Sequence, residues 1–179
     1  MRNFIAVLLL LALSSASAQQ TKSVSLTDFQ RDFLETVYLY KDKYSKADNE
    51  LKKSALVSER IQAFKKLKGN PLKIKDWYGV LKSMGTNSDG KAFVEIEIGK
   101  DVTVKTWNNA FSDSSDKTLI PQKSPIYQKL SDMKEGNVVK FSGRLKRFSN
   151  LTEAAKMESP DILFLFSDIE KVGDQVAKK

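Results

Sequence analysis

The hydrophobic period of this chain changes once, near Gly69-Asn70-Pro71, and that change constrains the fold more than any other feature. Upstream, Phe29, Phe33, Val37, Tyr40 and Tyr44 recur at the spacing of one helical face. From Leu72 onward the pattern becomes alternation and β-branched runs, the mark of strands. The expected class is therefore α+β, a helical segment over residues 19–70 followed by a sheet over 71–174, with a short polar tail at 175–179.

Local signals set the helix limits. Ser25 with Asp28, or Thr27 with Gln30, offers a capping box at the start of the first helix. Asp48 and Asn49 are good caps and poor helix interiors, so a break is expected around Ser45 to Asn49. A second helix is expected from about Glu50 to Lys68, with Leu51, Ala55, Ile61, Phe64 and Leu67 available for burial and Gly69 as terminator. The spacing is compatible with a helical hairpin or with one long bent helix. Aromatic residues at helical spacing go mostly into cores, so the tyrosine-rich stripe is read as a packing face. Lys65, Lys66 and Lys68 complement the helix dipole.

Strands are predicted at Leu72–Met84, Lys91–Ile98, Val102–Trp107, Asn137–Phe148 and Ile162–Val172, with a helix at Pro125–Lys134 between the third and fourth. Ser124 caps that helix, Pro125 suits its first position and Gly136 stops it. Five strands with a helix in that place is the order of the OB-fold, a partly open barrel. Gly79 and Gly143 fall where a curled barrel needs bends or bulges. Asn108–Lys117 and Ser149–Pro160 read as mobile loops and Gly173–Lys179 as a frayed end.

The second and third strands admit a register argument. Ala92, Val94, Ile96 and Ile98 must face the same side as Val102 and Val104, so a three-residue loop, Gly99-Lys100-Asp101, pairs Ile98 with Val102. Glu95 then lies opposite Lys105 and Phe93 opposite Trp107, on the outer face. On the fourth strand Lys140, Ser142, Arg144 and Lys146 alternate with Val139, Phe141, Gly143 and Leu145. On the first, Tyr78 is expected inside with Ile74 and Val80, leaving Trp77 beneath the helices. Ile162 to Phe166 is apolar on both faces and is expected to be the most buried strand.

The outer face supplies the candidate ligand-binding residues: Phe93 and Trp107 as stacking surfaces, with Lys105, Lys140, Arg144 and Lys146 as cations. Glu95 and Glu97 oppose a phosphate ligand there, and an aromatic pair beside an ion pair also explains the face without any ligand.

Arg2, the apolar run Phe4–Leu13 and the exit Ala16-Ser17-Ala18 match a secretory signal over residues 1–18, cleaved after Ala18. The run is about half of what a membrane-spanning helix needs, so no transmembrane anchor is expected and a periplasmic or secreted location is. The chain has no Cys and no His, which removes disulfides, thiol nucleophiles, imidazole shuttles and the usual zinc ligands. No cofactor or metal is expected, and an enzyme is disfavoured. The net charge is +8 from 30 basic and 22 acidic residues, an excess that attracts polyanions without dictating the fold.

Asp76-Trp77-Tyr78-Gly79, Thr118-Leu119-Ile120, Ile126-Tyr127, the run Gly136–Gly143 and Phe164–Ile169 together resemble bacterial envelope OB-fold domains of the tRNA_anti-like type. Some of those are labelled nucleic-acid-binding lipoproteins, whereas this chain has no cysteine to acylate. The resemblance covers about Pro71 to Val172 and implies the fold more than the function. The expected activity is that of an exported, non-enzymatic interaction module whose partner is a protein or another envelope component. The alternative is an extracytoplasmic binder of single-stranded nucleic acid or another polyanion.

Overall fold

A computed structural model describes residues 25–67, 73–146 and 154–174. The expected leader, the turn at Gly69-Asn70-Pro71, the tripeptide Asn150-Leu151-Thr152 that fits a glycosylation acceptor, and the tail at 175–179 lie outside these. The elements run α1 (Asp28–Ser45), α2 (Glu50–Lys66), β1 (Lys73–Thr86), β2 (Ala92–Gly99), β3 (Val102–Lys105), α3 (Pro125–Ser131), β4 (Asn137–Leu145), α4 (Ala154–Glu158) and β5 (Asp161–Asp174). The protein is thus α+β, with a five-stranded mixed sheet that closes in a ring in the order β1-β2-β3-β5-β4. All neighbours are antiparallel except β3 and β5, which pair in parallel through Thr103–Asp161, Val104–Ile162 and Lys105–Leu163.

The interior of the ring is where alternation placed it. Val94, Ile96, Val104, Phe141 and Phe164 are all buried in one cluster, and Phe141, Phe164 and Phe166 pack their rings 4.7–5.6 Å apart. Burying such side chains contributes roughly 1.5–3 kcal/mol each. Gly143 lets β5 come close, since a Cβ there would lie 2.2 Å from the Leu165 carbonyl oxygen.

The N-terminal segment is a helical hairpin. Thr27 caps α1 by accepting from the Gln30 N–H at 3.2 Å, and Asn49 caps α2 by accepting from Lys52 N–H at 2.9 Å. The α1 stripe packs as expected, with Phe33, Val37, Tyr40 and Tyr44 buried. On α2, however, Leu51 is 85 % exposed, and the buried residues are Arg60 and Phe64. Phe64 and Leu67 thus pack on the core as expected while Leu51 and Ala55 stay exposed, and Leu56, Val57 and Ala63 join a second cluster with Tyr40, Tyr44 and Met157 that the sequence reading did not include.

Several expectations are corrected. Trp77 lies beneath α1 as expected, fully buried against the Phe29 and Phe33 rings at 5.8 and 5.1 Å, but it is Trp77 and not Tyr78 that shares the interior side with Ile74 and Leu81, and Tyr78 is half-buried on the other side. The cause is a bulge between Ile74 and Trp77, where Asp76 adopts φ 53° and inverts the alternation. At the β2–β3 turn a bulge pairs Gly99, not Ile98, with Val102 and leaves a two-residue loop in which Asp101 takes φ 57°. Leu34 and Tyr38 of α1 pack on Gly99 so closely that a Cβ would lie 2.4 Å from the Tyr38 hydroxyl. The expected single helix within the sheet is joined by α4, inside the predicted Ser149–Pro160 loop, because Met157 finds a fully buried seat against the hairpin. β5 extends through Gly173 and Asp174, where pairing with Val138 and Asn137 continues.

Candidate binding groove on the outer face of β2 and β3

Strand alternation turns Phe93, Glu95 and Glu97 outward from β2, and Thr103 and Lys105 outward from β3. Phe93 lies over β1 at Gly85, its register partner; a Cβ on Gly85 would sit 2.6 Å from the Phe93 ring, so the glycine is the seat of that ring. Glu95 pairs in register with Lys105 as expected.

Trp107 stands just beyond β3, which ends at Lys105, so the expected ladder pair with Phe93 does not form. The reason lies in the next loop. Thr106 still bonds to β2, accepting from Val94 N–H through Oγ1 at 3.1 Å, but the Trp107 N–H donates to Thr118 Oγ1 at 2.9 Å. The indole N–H donates to Asp116 Oδ2 at 2.9 Å.

Asn108–Lys117, read as a mobile loop, is ordered around a buried carboxylate. Asp113 Oδ1 accepts from Thr118 N–H and from its hydroxyl at 2.5 and 2.8 Å, and Oδ2 accepts from Leu119 N–H at 3.2 Å. The loop carries Phe111 at its surface, 91 % exposed.

The structure thus brings three of the six candidate residues together. Phe93, Lys105 and Trp107 line a cavity of about 180 Å³ with Ser83, Glu95 and Asn108. Glu95 and Lys105 also border a wider depression of about 510 Å³ that runs over Thr103 to Asp161 and Lys156. The two form one groove along the outer face of β2 and β3.

Its charges are largely cancelled from within. Lys105 and Lys156 both close on Asp161, and Lys41 of α1 reaches Asp101 at 3.6 Å. Glu95 makes no ion pair among the described residues, so Lys105 prefers the β5 carboxylate to its register partner.

The other three candidates lie elsewhere, because β5 stands between β3 and β4 in the ring. Lys140 pairs with Glu170 at 2.7 Å, and that hydrogen bond holds its ammonium above the usual lysine range. Arg144 is exposed opposite Lys73 of β1. The Lys146 backbone N–H donates to the Leu163 carbonyl at 2.8 Å.

Sequence reasoning missed Asp161 and Lys156, which neutralise the groove, and Asp113 and Asp116, which order its rim. Asp113 and Asp116 sit in a Ser- and Asp-rich stretch, a composition that marks turns without revealing which carboxylate goes inside. Among the described residues no group of His, Cys, Asp or Glu is placed to hold a metal ion, and no helix is long and apolar enough to cross a membrane. Compared with known proteins, the chain matches no family model and no curated sequence.

Proposed function

We propose that this chain is an exported, non-enzymatic binding module built on an OB-type barrel, whose β2–β3 groove receives a segment of a partner protein or another envelope component. The ring order, the parallel β3–β5 closure and α3 between β3 and β4 support the OB assignment. The tRNA_anti-like resemblance points the same way, and the leader pattern at residues 1–18 supports export to the periplasm or medium. Absence of His and Cys supports a binding role over catalysis.

The observation that carries the reading is the pairing of apolar surface with cancelled charge. Phe93 and Trp107 offer rings, while Lys105 and Lys156 are held by Asp161. Phosphate affinity depends on cations free to replace counterions, and this groove retains none of those two. A protein segment needs only apolar contact and a satisfied polar rim.

A photo-crosslinking amino acid at Ser83, on the groove wall, tests this in cells that make the protein. The expected result is a discrete protein adduct that Phe93→Ala abolishes and that the purified partner reproduces. Adducts to nucleic acid alone, or Trp107 fluorescence quenched by oligonucleotides at low salt, overturn it.

A further inference from the structure

The positive charge of the sheet is concentrated at one place away from the groove. Lys82 pairs with Glu97 at 3.4 Å, Lys140 with Glu170 at 2.7 Å, Lys171 with Asp174 at 3.1 Å, and Lys105 with Asp161. The remaining cations of the strands are Lys73 and Lys75 on β1 and Arg144 on β4, with Lys146 directly after it. None of these four makes an ion pair among the described residues. Lys73, Lys75 and Arg144 are exposed and Lys146 half-exposed.

Lys73 and Arg144 stand directly opposite each other in the β1–β4 register. Directly opposed residues of an antiparallel pair share a face with Cβ atoms about 5 Å apart, and like charges there destabilise the pair. The carboxylates of the surrounding strands are engaged elsewhere: Glu170 by Lys140, Asp161 by Lys105 and Lys156, and Asp174 by Lys171. Asp76 lies toward Lys140, whose ammonium it helps to keep protonated, and its backbone N–H is tied to Ser142. The four cations therefore form a patch that no carboxylate among the described residues neutralises by an ion pair.

We propose that this patch docks the protein on an anionic phospholipid surface, independently of the β2–β3 groove. Two observations favour lipid phosphates over nucleic acid. Among the described residues the patch has no ring for a base to stack on, because Phe93 and Trp107 lie in the groove and Tyr78 stands level with Lys140, further along β4. Its outward neighbour on β5 is Leu165, half-buried opposite Arg144, which suits contact with a headgroup layer.

The test is flotation of the exported chain, from Gln19 onward, with vesicles of phosphatidylcholine alone or mixed with phosphatidylglycerol. Binding is expected only to the mixed vesicles and to fade as salt is raised. The double variant Lys73→Gln/Arg144→Gln is expected to lose about fivefold in partitioning for each cation removed, the ratio matching about 1 kcal/mol per charge near an anionic surface. Lys82→Gln, which removes a cation already paired with Glu97, is expected to leave partitioning unchanged. Equal binding to both vesicle types, equal loss in Lys82→Gln, or binding to an oligonucleotide but not to the mixed vesicles overturns the proposal.

Discussion

Gln30 of α1 pairs with the backbone of Tyr78 in β1 as a neighbouring strand would. Its Nε2 donates to the Tyr78 carbonyl at 2.6 Å, and the Tyr78 N–H donates to its Oε1 at 2.9 Å. The arrangement answers a specific need. β2 pairs with β1 only from Val80 onward, so the preceding stretch of β1 faces the helices on that edge. An unpaired N–H and carbonyl there would lose their water without compensation. Gln30 is fully buried, and its amide is the one side-chain group that both donates and accepts at the required spacing.

Gln30→Leu is therefore expected to destabilise the protein by about 2–4 kcal/mol, the cost of two buried backbone groups left unpaired, measured by urea unfolding. Gln30→Glu separates hydrogen bonding from size. At neutral pH a carboxylate accepts from Tyr78 N–H but repels its carbonyl oxygen; once protonated it can do both. Its folded-state pKa is raised, so the variant is expected to be weakest at neutral pH and to recover as the pH falls toward the ordinary glutamate range near 4.3. Equal stability of Gln30→Glu at both pH values would show that the amide only fills space.

Two glycines make contrasting predictions. At Gly143 a Cβ would meet the Leu165 carbonyl oxygen at 2.2 Å and the Phe164 ring at 2.5 Å, and the backbone atom cannot rotate away. At Gly136 nothing lies within 4 Å, but φ is +85°. Gly143→Ala is expected to cost more than about 3 kcal/mol, the upper range for overpacking, by opening β4 from β5. Gly136→Ala is expected to cost about 1–2 kcal/mol, the left-handed penalty alone. Thermal melts of the two variants check the order.

What could be read from sequence follows the range of the forces involved. The start of α3 is legible because Ser124 and Pro125 are local signals, although the helix ends at Ser131 with Asp132 as its cap, short of the expected Lys134 and Gly136, and the faces of β2 and β4 are legible because alternation is local too. Trp77 is legible as the ring beneath the helices, but Tyr78 is expected on the interior side that Trp77 takes, because Asp76 turns left-handed and shifts the parity, which no hydrophobic pattern records. Leu51 was expected inside because apolar character alone does not say which helix stripe meets a neighbour. Phe93, Lys105 and Trp107 could be placed on one face from the hairpin. Their separation from Lys140, Arg144 and Lys146, and the capture of Lys105 by Asp161, depend on β5 entering beside β3, a contact between distant parts of the chain.

The loop that holds Trp107 depends on Asp113. Asp113→Ala leaves Thr118 N–H, its hydroxyl and Leu119 N–H without their acceptor. The expected cost is about 2–4 kcal/mol, since hydrogen bonds to a charged acceptor contribute roughly 1.5–3 each before relaxation. Thr118 is also the acceptor for Trp107 N–H, so the Trp107 emission is expected to shift to the red. Trp77, fully buried against α1, keeps its emission and serves as the internal reference. A destabilised variant with unchanged Trp107 emission would disconnect the loop from the groove.

The last prediction concerns acid. Asp168 of β5 pairs with Lys129 of α3 at 2.6 Å, and that hydrogen bond, with a further one from Ile169 N–H at 2.9 Å, holds its carboxyl below the usual aspartate range. A group whose folded pKa is depressed contributes stability above its unfolded pKa, near 3.9 for aspartate, and loses it as the pH falls through the folded value. Both side chains are about half exposed, 44 % and 54 %, so the contribution is that of a surface pair, about 0.2–1 kcal/mol. Wild type is expected to exceed Asp168→Asn by a constant margin from pH 8 to pH 5 and to converge with it below about pH 4, and added salt narrows the margin at neutral pH. Melting temperatures of the two proteins across that range check it. A margin that persists in acid would assign the effect to packing of α3 on β5 in place of charge.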